Sequence, residues 1–117
     1  MYDIRIIRPA QSDIRDIYRY IAEELKDPVA AACRITLIDK AIISLHKNPL
    51  RVPLVRESYL ASKGYRLLTV KNHIVFFIIR EEIKTISIMR VLYARRDWMR
   101  ILRIDAEALS EDAFMEE

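Results

Sequence analysis

The sequence predicts an α+β domain: an N-terminal strand and an antiparallel helical hairpin packed on a mainly antiparallel sheet, in the order β-α-α-β-β-β, closed by a short C-terminal helix. Three observations carry this prediction. Apolar residues alternate over residues 2–8, recur at spacings of three and four between Ile14 and Leu45, and crowd into three runs after Gly64. A change from a two-residue period to a helical one and back marks helices flanked by strands. The chain's 117 residues favour a single domain.

Residues 2–8 read as the first strand, with Ile4 and Ile6 on one face and Asp3 and Arg5 on the other. Pro9 closes it, because proline interrupts a sheet ladder yet suits the first turn of a helix. From Ile14 the apolar positions Ile17, Tyr18, Ile21, Ala22 and Leu25 form one helical stripe. Asp27-Pro28 ends that helix and starts another, with the aspartate as cap and the proline in the first turn. The second helix has a core line through Ile35, Ile38, Ile42 and Leu45, with Ala31, Ala32 and Ala41 allowing close approach to its neighbour. Cys33 lies among small apolar residues and is expected to fill core space. Asn48-Pro49 stops the helix, and the short connection between the two helices makes an antiparallel hairpin.

Residues 48–63 hold two prolines and no clear period, so a loop is expected, with a brief extended piece at 52–55. Gly64 opens three strands, at 65–70, 73–79 and 84–93, joined by turns at Lys71-Asn72 and at 80–82. The middle strand is almost continuously apolar, which implies cover on both faces. A helix over 97–102 would bury Trp98, Ile101 and Leu102. The domain is expected to span residues 1–104, and residues 105–117 to form an acidic, flexible tail.

Charge is unevenly spread. The net charge is +3, but Asp105, Glu107, Glu111, Asp112, Glu116 and Glu117 give the tail six acids and no base. Residues 51–104 hold twelve bases against four acids, whereas residues 1–50 are nearly balanced. Such a field points to an anionic partner. It is concentrated where the last strand leaves the core, at Arg90, Arg95 and Arg96, with the hydroxyl of Tyr93 among them.

Several chemistries lack their residues. One glycine rules out a Gly-rich phosphate loop and a dinucleotide fingerprint. Two histidines and one cysteine do not make a common structural zinc site, and no cofactor is expected. No serine stands in a nucleophile elbow. The lone cysteine forms no internal disulfide, no apolar run reaches membrane-spanning length, and the N-terminus lacks a secretory pattern. A cytoplasmic setting is expected.

Four motifs resemble the RelE/ParE superfamily of small bacterial toxins. They are Arg8-Pro9-Ala10 with Asp13-Ile14 and Ile17-Tyr18-Arg19-Tyr20-Ile21; Gly64-Tyr65-Arg66; Asn72-His73-Ile74-Val75-Phe76-Phe77; and Arg90-Val91-Leu92-Tyr93-Ala94-Arg95-Arg96-Asp97. The last more often has histidine where this chain has Tyr93. The resemblance implies the toxin of a type II toxin–antitoxin pair, with roles in growth arrest and plasmid stabilization. A cognate antitoxin encoded beside it would wrap the helical hairpin and sheet, and homo- or hetero-oligomers are possible assemblies.

Two toxic activities occur among such proteins. One is ribosome-dependent cleavage of messenger RNA, which needs cations and proton transfer at a phosphate. The other is inhibition of DNA gyrase. The nucleases usually carry an arginine in the central strand where this chain has Ile74, so the resemblance is closer to ParE-like gyrase inhibitors, which are not enzymes. For a nuclease the catalytic candidates are Arg66, His73, Tyr93, Arg95 and Arg96. Target-binding candidates are Arg66, Arg90, Tyr93, Arg95, Arg96 and Trp98. Antitoxin-binding candidates are Ile14, Ile17, Tyr18, Ile21 and Trp98, with core packing the first expectation for Tyr18. His73, opening a buried strand, is expected first as a hydrogen-bonded structural residue. A non-toxic basic adaptor binding nucleic acid directly is a third reading.

Overall fold

The computed structural model describes residues 1–116, with side chains as far as residue 108. Strand β1 (Asp3–Ile6) leads into α1 (Arg8–Arg19), which continues as a π-helical turn (Tyr20–Glu24). Helix α2 (Pro28–Ser44) returns antiparallel to it, and the short α3 (Ser58–Ser62) precedes β2 (Arg66–Val70), β3 (His73–Arg80) and β4 (Thr85–Tyr93). Helix α4 (Trp98–Glu116) closes the chain. The four strands form one sheet in the order β1-β4-β3-β2, antiparallel except for the parallel β1–β4 pair. Among the described residues no helix is long and apolar enough to cross a membrane.

The sheet is covered on both faces, which explains the unbroken apolar run of β3. Val75 and Phe77 pack with Ala10, Ile38, Ile42 and Leu45 of the helical hairpin. Ile74 and Phe76 face the other way and pack with Leu60, Tyr65, Leu102 and Ala106. Alternate β3 residues thus supply two cores, each buried large side chain contributing about 1.5–3 kcal/mol.

Four elements depart from the sequence reading. Helix α1 begins at Arg8 rather than near Ile14, with Pro9 in its first turn, because a proline there gives up no helical hydrogen bond. Residues 58–62, expected as loop, form α3: the Glu57 carboxylate accepts from the N–H groups of Leu60 and Tyr59 at its start. Those bonds, the one from Leu60 foremost, hold the Glu57 pKa below the usual carboxylate range. Helix α4 is longer than the short helix expected, and its packed part passes residue 104: Ala106 is buried and Asp105 bonds to Arg90. The rest of the expected tail, from residue 109, has side chains outside those described. Finally, Cys33 is exposed, on the side of α2 away from the Ile38 and Ile42 core line.

Gly64 ends α3 with φ +88°, in the left-handed region. A Cβ there would meet Ile78 Cγ2 at 3.6 Å, an ordinary contact, so the backbone alone decides the effect of a substitution. Gly64→Ala is expected to cost about 1–2 kcal/mol in urea unfolding with an unchanged m-value.

Candidate functional site at the exit of the last strand

β1 pairs only with residues 85–88 of β4, so the outer edge of β4 is open from Met89 onward. Asp13 of α1 fills the gap. Its carboxylate accepts from the Val91 N–H at 3.0 Å and from Arg90 Nε and Nη2 at 2.7 and 2.8 Å. Arg90 Nη1 donates to Asp105 Oδ2 of α4 at 3.1 Å. The two carboxylates hold the guanidinium pKa above its ordinary value, the hydrogen bonds that Arg90 donates to Asp13 foremost. Arg90 therefore links α1, β4 and α4 and does not join an exposed cationic group.

Beyond Tyr93 the chain turns tightly. Ala94 N–H donates to Asn72 O, and Arg96 N–H to Tyr93 O at 3.0 Å. Asp97 Oδ1 accepts from the Arg100 N–H, capping α4. Arg95 and Arg96 stand on this turn, both exposed. Trp98 lies on the α4 side of the sheet, its ring 5.1 Å from that of Phe76. It thus belongs to a different face from Ile14, Ile17 and Ile21. Arg66 of β2 donates to Val52 O and is paired with Phe77, whereas Tyr93 is paired with His73. Four strand residues separate those two registers, about 13 Å. The structure therefore brings Tyr93, His73 and Arg96 together and leaves Arg66 and Trp98 apart from them.

What gathers around Tyr93 is a cleft of about 620 Å³ between the strand ends and the tip of the helical hairpin. The hairpin makes it by the way α1 ends. Leu25 N–H bonds to Tyr20 O across five residues, Lys26 adopts φ +54°, and Asp27 caps α2 through the Ala30 N–H. A π-turn of this kind is frequent at functional sites. Ile17, Ile21 and Leu25 form an apolar wall, and Tyr20 stands beside them. Tyr20 and Leu25 are 55% and 57% exposed, and Tyr18 is 44% exposed rather than packed in the core. Ile14 is partly buried against the hairpin core.

The opposite wall is polar. His73 is 7% exposed and its ring meets Tyr93 edge-on, with centroids 5.9 Å apart. Arg34 Nη1 donates to His73 Nδ1 at 3.0 Å and to Asn72 Oδ1, so His73 is hydrogen-bonded as its position implies. Because Arg34 can only donate, Nδ1 is an acceptor and the neutral ring carries its proton on Nε2. Burial first, and Arg34 second, push the His73 pKa below the usual histidine value. The sign follows: neutral His73 contributes stability fully present above the unfolded pKa of about 6.5 and lost as pH falls through the lower folded value. Urea unfolding at pH 7.5, 6.5 and 5.5 is expected to lose less stability in His73→Asn than in the parent. Parallel losses in the two proteins would contradict this coupling.

Arg34, Asn72 and Asp16 also line the cleft, and sequence reasoning passed over them. Arg34 alone left a signal, as a cation one turn from the core positions Ala31 and Ile38. Among the described residues no group of three potential metal ligands forms.

Comparison with known proteins places this geometry. A family model described as ParE toxin of type II toxin–antitoxin system, parDE, matches residues 4–98, from β1 to the first residue of α4. Among solved structures, the chromosomal ParDE toxin–antitoxin system from P. aeruginosa is similar, with a TM-score of 0.67 at 23% identity over 81% of this chain and 98% of that one. The RelBE2 toxin–antitoxin complex from Mycobacterium tuberculosis is similar with a TM-score of 0.56 at 20% identity, over 79% and 96% of the two chains. A comparison with curated proteins finds no match. With four-fifths of its length matched by the family model and its sheet and hairpin shared with these structures, the chain belongs to the ParE toxin family of type II toxin–antitoxin systems.

Proposed function

We propose that the protein acts in the cytoplasm as an inhibitor of DNA gyrase and is held inactive by a cognate antitoxin. The observation that carries this reading is Ile74. At the central-strand position where a nuclease of the superfamily would carry an arginine, this chain has an isoleucine buried beneath α4. It can neither neutralise a phosphate nor move a proton. The other candidate cations do not compensate. Arg90 is committed to Asp13 and Asp105, and Arg66 bonds to Val52 O well away from Tyr93. What remains exposed, Arg95 and Arg96 beside Tyr93, suits the docking of an acidic protein surface.

The antitoxin reading is supported by the apolar wall at Ile17, Ile21 and Leu25 with the exposed rings of Tyr18 and Tyr20. An isolated soluble domain rarely leaves so continuous an apolar surface uncovered.

The test is a gyrase supercoiling assay run beside a translation assay with the purified protein. Loss of supercoiling or accumulation of cleaved DNA complexes, with intact transcripts, is the expected result. Codon-linked cuts in translated messages with unaffected gyrase would replace it with the nuclease reading. Strongly salt-dependent binding to nucleic acid without either effect would favour the adaptor. The product of the adjacent reading frame should abolish the effect and co-purify with the toxin.

A further inference from the structure

We infer that the cleft beside Tyr93 is a recognition site for a carboxylate: an acidic side chain, set between branched apolar ones in a partner polypeptide, bound by Arg34 and Arg96. The inference rests on the antitoxin reading for who supplies the segment, and it assigns the chemistry of that segment.

Arg34 is the central observation. Its Nη1 is fixed by two neutral acceptors, Asn72 Oδ1 and His73 Nδ1. Its Nε is buried without a hydrogen-bond partner, and among the described residues no carboxylate pairs with it. An arginine oriented by neutral groups and left unneutralised is prepared for a carboxylate, which can accept from its Nη2, a nitrogen with no hydrogen bond among the described residues. Arg96, across the cleft mouth, is exposed and is likewise in no ion pair among the described residues.

The acids on the walls do not cancel these cations. Asp13 is already matched to Arg90 and the Val91 N–H, which leaves Asp16 as one carboxylate against two guanidinium groups. The remaining surface selects between anionic partners. Ile17, Ile21, Leu25 and Val91 supply its aliphatic part, beside the rings of Tyr20 and Tyr93. A nucleic-acid strand draws most of its affinity from a series of phosphate contacts, for which this cleft offers two guanidinium groups. A peptide uses aliphatic walls directly, and a cleft of about 620 Å³ admits several side chains.

The test is an NMR titration of the full chain with acetyl-Leu-Glu-Ile-Leu-amide, its glutamine counterpart and hexauridylate. The glutamate peptide is expected to shift the resonances of Asn72, His73 and Tyr93 and to bind about tenfold or more tightly than the glutamine peptide, as expected for loss of a charge-assisted pair. Arg34→Gln and Arg96→Gln should each erase that preference. The second substitution lies on the exposed turn and keeps the test informative if the first disturbs folding. Equal binding of the two peptides, no shift at millimolar glutamate peptide, or tighter binding of hexauridylate in this cleft would overturn the inference. The two readings fail separately. A peptide preference without neutralisation by the adjacent gene product removes the antitoxin as supplier and keeps the site. Neutralisation without a peptide preference removes the site.

Discussion

Asp13→Ala is expected to destabilise the protein by about 3–5 kcal/mol, the usual result of stripping one partner from a buried ion pair. The change removes three hydrogen bonds at once, two from Arg90 and one from the Val91 N–H, at a residue only 7% exposed. For a domain of this size the melting temperature should fall by roughly 10–20 °C. Arg90 would keep Asp105, but the edge of β4 beyond β1 would lose the group that occupies the place of a neighbouring strand. Arg90→Met should also be costly, because Asp13 then keeps only the Val91 N–H. The double variant Asp13→Ala with Arg90→Met separates pairing from burial. Replacing both partners by apolar groups should recover much of the loss, so its cost should be smaller than the sum of the single costs by about 0.5–3 kcal/mol. Urea unfolding followed through Trp98 fluorescence measures all four proteins. Strict additivity would show that the two residues act independently. Val91 and Tyr93 belong to both the stabilised edge and the cleft, so Asp13→Ala should also blunt any ligand response of the cleft.

The hairpin and sheet were legible because their patterns are local. Ile17, Ile21 and Leu25 fall at helical spacing, and residues 73–79, short and bounded by turns at both ends, read as a strand covered on both sides. Helix α3 was not legible, since five residues are too few to display a period; its signs were Glu57 at the start and Gly64 at the end. The length of α4 was hidden by composition. Its acids read as solvated tail, whereas Leu102 and Ala106, one turn apart, dock the helix on the sheet. The site was half legible. Tyr93, His73 and Arg96 lie in motifs adjoining strand ends, where side chains reach the surface. Arg90 read as surface because a charge in sequence does not disclose its partner, here 77 residues away. Arg34 was missed for the same reason: its meaning comes from His73 and Asn72, on another element.

Charge reversal on the turn after β4 should divide stability from action. Arg95→Glu combined with Arg96→Glu is expected to leave unfolding within about 0.5 kcal/mol of the parent, because both side chains are exposed and in no ion pair among the described residues. Inhibition of supercoiling should weaken roughly a hundredfold, about tenfold for each cation turned against an acidic surface. The glutamine pair should lie between, and its deficit should shrink as salt screens the parent's advantage. Unchanged inhibition by the glutamate pair, in a folded protein, would exclude this turn from the target interface. The single variants carry further information, since only Arg96 lines the cleft. Arg95→Glu should impair target inhibition while leaving antitoxin binding intact, and Arg96→Glu should impair both. Equal effects of the two on antitoxin binding would mean that the turn, rather than the cleft, makes the contact.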